Sequence, residues 1–252
     1  MVYLDREELD IKKIAESGQT FRMKPIEDKW LLCAANRIAF AKENEDSLAI
    51  DSDDESFWAD YFDMQTDYRA IRESIDPDDF YLSEAAEFSK GIRILRQDSF
   101  EMLISFIISQ RKSIPAISTS IEKICGGYDK PFPDCFELSD FSEEKLISCG
   151  LGYRVPYIMR AAADVSEGRL NLENLKKLSD ECLIKELMKI YGVGIKVANC
   201  TALFGYHRIS AFPIDVWIRR VLDEHYAQGF PFERYNGYAG VLQQYMFYFA
   251  RK

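Results

Sequence analysis

Hydrophobic periodicity changes once along this chain, and that change restricts the fold more than any other feature. Residues 30–50 (WLLCAANRIAFAKENEDSLAI) carry short β-type segments separated by polar turn residues such as Asn44 to Asp46, the pattern of an antiparallel meander. From about residue 84 the apolar residues recur at helical spacing, and no convincing strand follows. The expected layout is therefore α+β: a small antiparallel β-rich N-terminal domain (1–88) followed by a mainly α-helical body (89–252). With 252 residues, 47% of them apolar, the chain is long enough to bury a real core.

Within the helical part, local signals mark the elements. Asp76-Pro77 opens a turn before it. Ser99 can cap a helix over Phe100–Gln110, whose Leu103, Ile104, Ile107 and Ile108 form one stripe. Pro115 suits the first turn of the next helix, which runs to about Cys125. Ser179 can cap another, with Leu183, Ile184, Leu187 and Met188 as its apolar side and Gly192 as its stop. There are no internal repeats and no low-complexity stretches.

Charge is distributed unevenly. The formal net charge of -10 sits poorly with nucleic-acid binding, which normally leaves a basic footprint. Residues 1–89 hold 10 Lys and Arg against 23 Asp and Glu, whereas residues 90–252 hold 22 against 19. The acidity is thus confined to the first third, where the runs Asp51 to Glu55 and Asp76 to Asp79 read as solvated faces. Six scattered cysteines, without a Cys-x-x-Cys pair and with only two histidines in the chain, speak against a zinc or iron–sulfur site and for reduced thiols. The N-terminus lacks the apolar stretch of a signal peptide, and no run approaches the ~18 apolar residues of a membrane span. The expectation is an intracellular monomer, in the cytoplasm or with the nucleoid or nucleus, without membrane contact.

Chemistry concentrates around Gly192-Val193-Gly194, a tight turn between two helical patterns. Glycines there let the backbone approach a ligand, and the N–H groups that open the second helix can hold a phosphate without a net positive surface. Taken alone, the turn reads first as an ordinary αα-hairpin with a glycine stop. Lys196 and Cys200, four apart, share a face of the second helix. A lysine near a helix start, beside Val197 and Ala198, has its ammonium form disfavoured, which is how a lysine becomes a nucleophile; a lone lysine is otherwise a surface charge. Asp215, two residues after Pro213, reads as a helix N-cap whose ionised carboxylate could also stabilise a nearby positive charge.

At these residues the sequence resembles the helix-hairpin-helix, Gly/Pro/Asp (HhH-GPD) superfamily of DNA glycosylases, and more specifically its 8-oxoguanine DNA glycosylase/AP lyase branch. The likeness covers nearly the whole chain. Ser17-Gly18-Gln19-Thr20-Phe21-Arg22 resembles the branch's N-terminal loop, and Gly91-Ile92-Arg93-Ile94-Leu95-Arg96-Gln97-Asp98 its interdomain segment. Gly150-Leu151-Gly152-Tyr153-Arg154 resembles its DNA-intercalating loop, and Gly192 to Cys200 its hairpin and nucleophile.

The resemblance implies a mechanism and a site. Lys196 would attack the sugar C1′ of a flipped nucleotide, and Asp215 would stabilise the oxocarbenium-like transition state; no metal or organic cofactor is needed. The carbonyl of Gly18 would accept the N7–H that 8-oxoguanine has and guanine lacks. Pro213 belongs to the same base-recognition set. Gln243 would read the Watson–Crick edge, with Cys200 and Phe247 sandwiching the ring. Without the resemblance, Phe247 reads as core and Gln243 as surface. Tyr153 would be the wedge and Arg154 the contact to the unpaired partner base, otherwise a buried aromatic and a surface arginine. The implied partner is double-stranded DNA containing oxidised guanine.

Departures also stand out. Gln110-Arg111-Lys112 replaces an asparagine run of the eukaryotic relatives, so Arg111 would fill the gap left by the flipped base. Ala116 stands where those relatives carry a second arginine for the opposite cytosine, which puts strict opposite-base selectivity in doubt. Trp217 replaces a histidine thought to touch phosphate. Two other readings remain: the same scaffold acting on a different damaged base, and a non-enzymatic DNA-binding protein that uses the hairpin for phosphate contact alone.

Overall fold

The computed structural model describes residues 1–252, and it bears out the α+β layout. The meander is larger than its sequence pattern: β2 (Met23–Ile26), β3 (Lys29–Ala34), β4 (Arg37–Glu43) and β5 (Ser47–Ile50) follow one another antiparallel. β1 (Val2–Asp5) then pairs with β5, giving the order β1-β5-β4-β3-β2. Both outer strands escape the sequence pattern because four residues are too few to show a period. Pro25 lies in β2, an edge strand, where its missing N–H costs no ladder bond.

One face of the sheet packs on the helices Ile11–Glu16 and Glu55–Tyr61, burying Val2, Leu4, Leu32, Ile50 and Trp58 in a small core. A second, much larger core is built by the helices that follow. The helices Tyr68–Glu73 and Phe80–Phe88, expected with the N-terminal part, bury Tyr68, Ile71, Leu82 and Ala85 in this larger core.

A buried polar seam joins the two. Asp63, fully enclosed, accepts from Tyr68 Oη (2.8 Å) and Arg96 Nη2 (2.9 Å) and lies 3.1 Å from His207 Nε2. Burial alone would raise its carboxyl, but the hydrogen bond and charge of His207, with hydrogen bonds from Thr66 and Tyr68, outweigh burial and bring it down to about 2. Arg93, equally enclosed, donates to the carbonyls of Phe62 (2.8 Å) and Thr66 (2.8 Å).

Three local expectations need correction. Gly192 does not stop the helix that Ser179 caps, which already ends at Leu187 with Met188 as its C-cap. Asp98, not Ser99, caps the helix Ser99–Ser109, because Asp98 has extended backbone and its side chain accepts from the Glu101 N–H at 2.8 Å. Met188 is 44% exposed, since the helix Asp180–Leu187 ends one residue before it. Ser179 does cap that helix, and Pro115 does lie in the first turn of Ile114–Cys125.

Candidate active site

The turn between Asp180–Leu187 and Ile195–Gly205 is fixed from outside. Gly192 has φ +83°, and a Cβ there would lie 2.3 Å from Tyr157 Cγ, so both conformation and space demand glycine. Gln110 Nε2 donates to the Gly192 carbonyl at 3.1 Å, tying the turn to the end of Ser99–Ser109. Gly194 is the N-cap of Ile195–Gly205 and offers no side chain, so the first N–H groups of that helix lack a side-chain cap. Val193 is buried and anchors the turn.

The second residue of that helix, Lys196, reaches a cavity lined also by Phe204, Pro213 and Gln244. Its ammonium nitrogen lies 3.5 Å from Ser109 Oγ and 5.5 Å from the centre of the Phe106 ring. Cys200, one turn on, is buried in the same wall, and burial pushes its thiol up although Lys196 pulls the other way. Asp215 Oδ1 accepts from the N–H groups of Trp217 (3.0 Å) and Ile218 (2.9 Å), which makes it the N-cap of Val216–His225 while it faces the cavity.

The C-terminal helix Ala239–Phe249 closes the cavity. Gln243, read by polarity as a surface residue, is buried instead; its Nε2 donates to the Pro213 carbonyl at 3.0 Å and its Oε1 has no protein partner. Phe247 is half-buried on the same helical face. Opposite it, Gly18 has φ +75°, and a Cβ would come within 2.8 Å of Ile114 Cδ1 and 3.3 Å of Phe247 Cε1. The cavity opens into an outer cleft, and Gly18, Phe106, Lys196, Asp215 and Phe247 border both. Charged residues along that cleft are Arg111, Lys112, Lys196 and Arg251 against the single carboxylate of Asp215, so the mouth is basic although the chain is acidic.

Three expected contact residues lie outside the cavity or turn away from it. Tyr153 is 50% exposed on a short 3-10 turn (Gly152–Arg154), edge-on to Tyr157. Arg154 is no surface arginine: it is buried, donates to the carbonyls of Leu151 (3.1 Å) and Gln110, and lies over the Tyr153 ring. Arg111 is exposed, with φ +53°, at the rim of the outer cleft. Sequence reasoning missed Ser109, Phe106 and Phe204, whose stacked rings (5.3 Å) look like plain core packing. It also missed Gln244, although two adjacent glutamines inside AGVLQQYMFYF were a signal that this apolar helix buries polar groups for a reason.

A glycine turn that presents a bare helix start, a lysine in the following turn, and a capping aspartate facing that lysine across one cavity define a class, the helix-hairpin-helix DNA glycosylases. Comparison with known proteins agrees. Residues 1–103 match the 8-oxoguanine DNA glycosylase N-terminal domain, and residues 104–229 match the HhH-GPD superfamily of base excision DNA repair proteins. The "Probable N-glycosylase/DNA lyase" of Methanothermobacter thermautotrophicus is 32% identical over 70% of this chain and 71% of its own. A solved structure of MBOgg1 with a low-affinity DNA ligand superposes with a TM-score of 0.91 at 36% identity, covering 99% of this chain and 94% of that one. The 8-oxoguanine glycosylase/lyase of Clostridium acetobutylicum, solved with double-stranded DNA containing cytosine opposite 8-oxoguanine, gives 0.90 at 32% identity over 97% and 92%. The chain belongs to the 8-oxoguanine DNA glycosylase branch of the HhH-GPD superfamily.

Proposed function

We propose that this protein is a bifunctional DNA glycosylase and AP lyase that excises 8-oxoguanine from double-stranded DNA. The observation that carries this reading is a single cavity bordered by Gly18 from the N-terminal loop, Lys196 and Asp215 from the helical body, and Gln243 from the C-terminal helix. A base must leave the stack to enter such a cavity, and the basic cleft outside it suits the backbone on either side.

In this reading Lys196 Nζ forms a bond to C1′ as the C1′–N9 bond breaks; the electron pair of that bond leaves with the base, which takes up the proton that the amine gives up. Asp215 stabilises the positive charge that develops on the sugar; its cap bonds hold it in place. The Lys196–C1′ adduct opens to a Schiff base, and loss of a C2′ proton then expels the 3′-phosphate. Gly18 accepts the N7–H of the oxidised base, and the free Oε1 of Gln243 accepts from its Watson–Crick edge. Cys200 and Phe247 hold the two faces of the ring. Gly192, Val193 and Gly194 present the hairpin to a phosphate, Gln110 braces it, and Tyr153 enters the stack beside the flipped nucleotide. One chain supplies every group that the proposed reaction needs. No helix is long and apolar enough to cross a membrane.

Borohydride trapping tests the reading directly. A covalent protein–DNA complex is expected with a duplex containing 8-oxoguanine and not with an undamaged control. Trapping with another modified base and none with 8-oxoguanine reassigns the lesion, and no trapping with any duplex removes the enzymatic reading.

A further inference from the structure

The loop that carries Gly18 is held by three glutamines from three separate parts of the chain. Gln19 is fully enclosed, and its side-chain amide is used completely. Its Nε2 donates to Ser17 Oγ (3.0 Å) and the Arg93 carbonyl (2.9 Å), and its Oε1 accepts from the Leu95 N–H (2.9 Å). Gln97 Nε2 donates to the carbonyl of Gln19 at 2.9 Å. From the C-terminal helix, Gln244 Nε2 donates to the carbonyl of Ser17 at 2.6 Å, with only 2% of Gln244 exposed. The carbonyls on both sides of Gly18 are therefore tied, and the Gly18 carbonyl alone has no hydrogen-bond partner in the protein.

We propose that Gln19, Gln97 and Gln244 are positioning residues for lesion selectivity: together they fix the direction of the Gly18 carbonyl. This rests on the proposed role of Gly18. Gly18 has no side chain to brace its peptide units, and the missing Cβ leaves them free to rotate unless the neighbouring carbonyls are held. A hydrogen bond that separates an N–H from a lone pair loses its discrimination when the acceptor swings away. An abasic site carries no base to read, so β-elimination there draws on Lys196 and not on the Gly18 carbonyl. The seam also links selectivity to domain docking, since Gln19 bonds to the segment that Arg93 and Arg96 anchor to the N-terminal part.

The test compares two rates for the full chain under single-turnover conditions, excision of 8-oxoguanine and cleavage at a preformed abasic site in the same duplex. Gln97→Leu, at a half-buried position outside the cavity, should lower the ratio of excision to abasic cleavage about 10-fold to 100-fold. Gln97→Glu, which keeps the shape and removes the N–H donor, should do the same, and Gln244→Leu should lower the ratio in the same direction. An unchanged ratio in both Gln97 variants overturns the proposal, as does a parallel fall of both rates with the melting temperature. A parent chain that cleaves abasic DNA yet removes no 8-oxoguanine sinks the functional reading, and this inference with it.

Discussion

The sheet layer and the helical body contribute to the site in opposite ways. The body supplies side chains: an amine, a carboxylate, a thiol, two amides and three aromatic rings, set on or capping helices that share one large core. The N-terminal part supplies backbone, the short stretch at Ser17 and Gly18, whose flanking carbonyls are held by Gln97 and Gln244 of the body. Charge follows the same division, with the acidic excess in the first third and a basic mouth around Lys196. In the proposed reading the bond-making groups sit in the body and the N7–H contact at Gly18 comes from the N-terminal part, so the two can be damaged separately.

The largest effect should come from the body. Lys196→Gln is expected to abolish base release and borohydride trapping, at least about a thousandfold in rate, while lesion binding persists. Residual activity close to the parent would break the division at its centre. Asp215→Asn comes next: excision should slow about 100-fold, whereas the fold should lose at most about 1 kcal/mol, because asparagine also caps helices. A large fall in melting temperature would show that capping is the main role of that carboxylate.

The seam sharpens the comparison through pH. Asp63 has a folded-state value near 2 against an ordinary 3.8, so its stabilisation is complete above about pH 4 and disappears as the pH falls toward 2. Asp63→Asn should therefore cost about 2 kcal/mol at neutral pH and almost nothing near pH 2, as urea unfolding at the two pH values would reveal. An equal loss at both would mean that geometry, not charge, holds the two parts together. The smallest effect is expected at the opposite base. Ala116 offers no donor, and Arg154 is committed to backbone carbonyls. Exchanging the partner of the lesion should change the excision rate less than about tenfold, whereas one bidentate arginine contact would give about 1–3 kcal/mol of preference. A strict cytosine requirement in single-turnover rates would show that Arg154 rearranges on DNA.

Much of the site was legible as local pattern. The four-residue spacings of Lys196 with Cys200 and of Gln243 with Phe247 place each pair on one helical face, and Asp215 caps a helix as its position before Val216-Trp217 implied. Less visible were features that depend on partners far along the chain. Polarity put Gln243 and Arg154 on the surface, but buried carbonyls of Pro213 and Gln110 pull them inside. β1 and β2 were too short to show a period and exist because neighbouring strands pair with them.

The amino-acid order by itself determined the helices, the glycine turn and the functional groups each helix presents, because periodicity and capping are satisfied within a few residues. Only the tertiary structure decided that Gly18, Lys196, Asp215 and Gln243 meet, since residues 18 and 243 come together only when two cores and a buried polar seam bring the ends of the chain into contact.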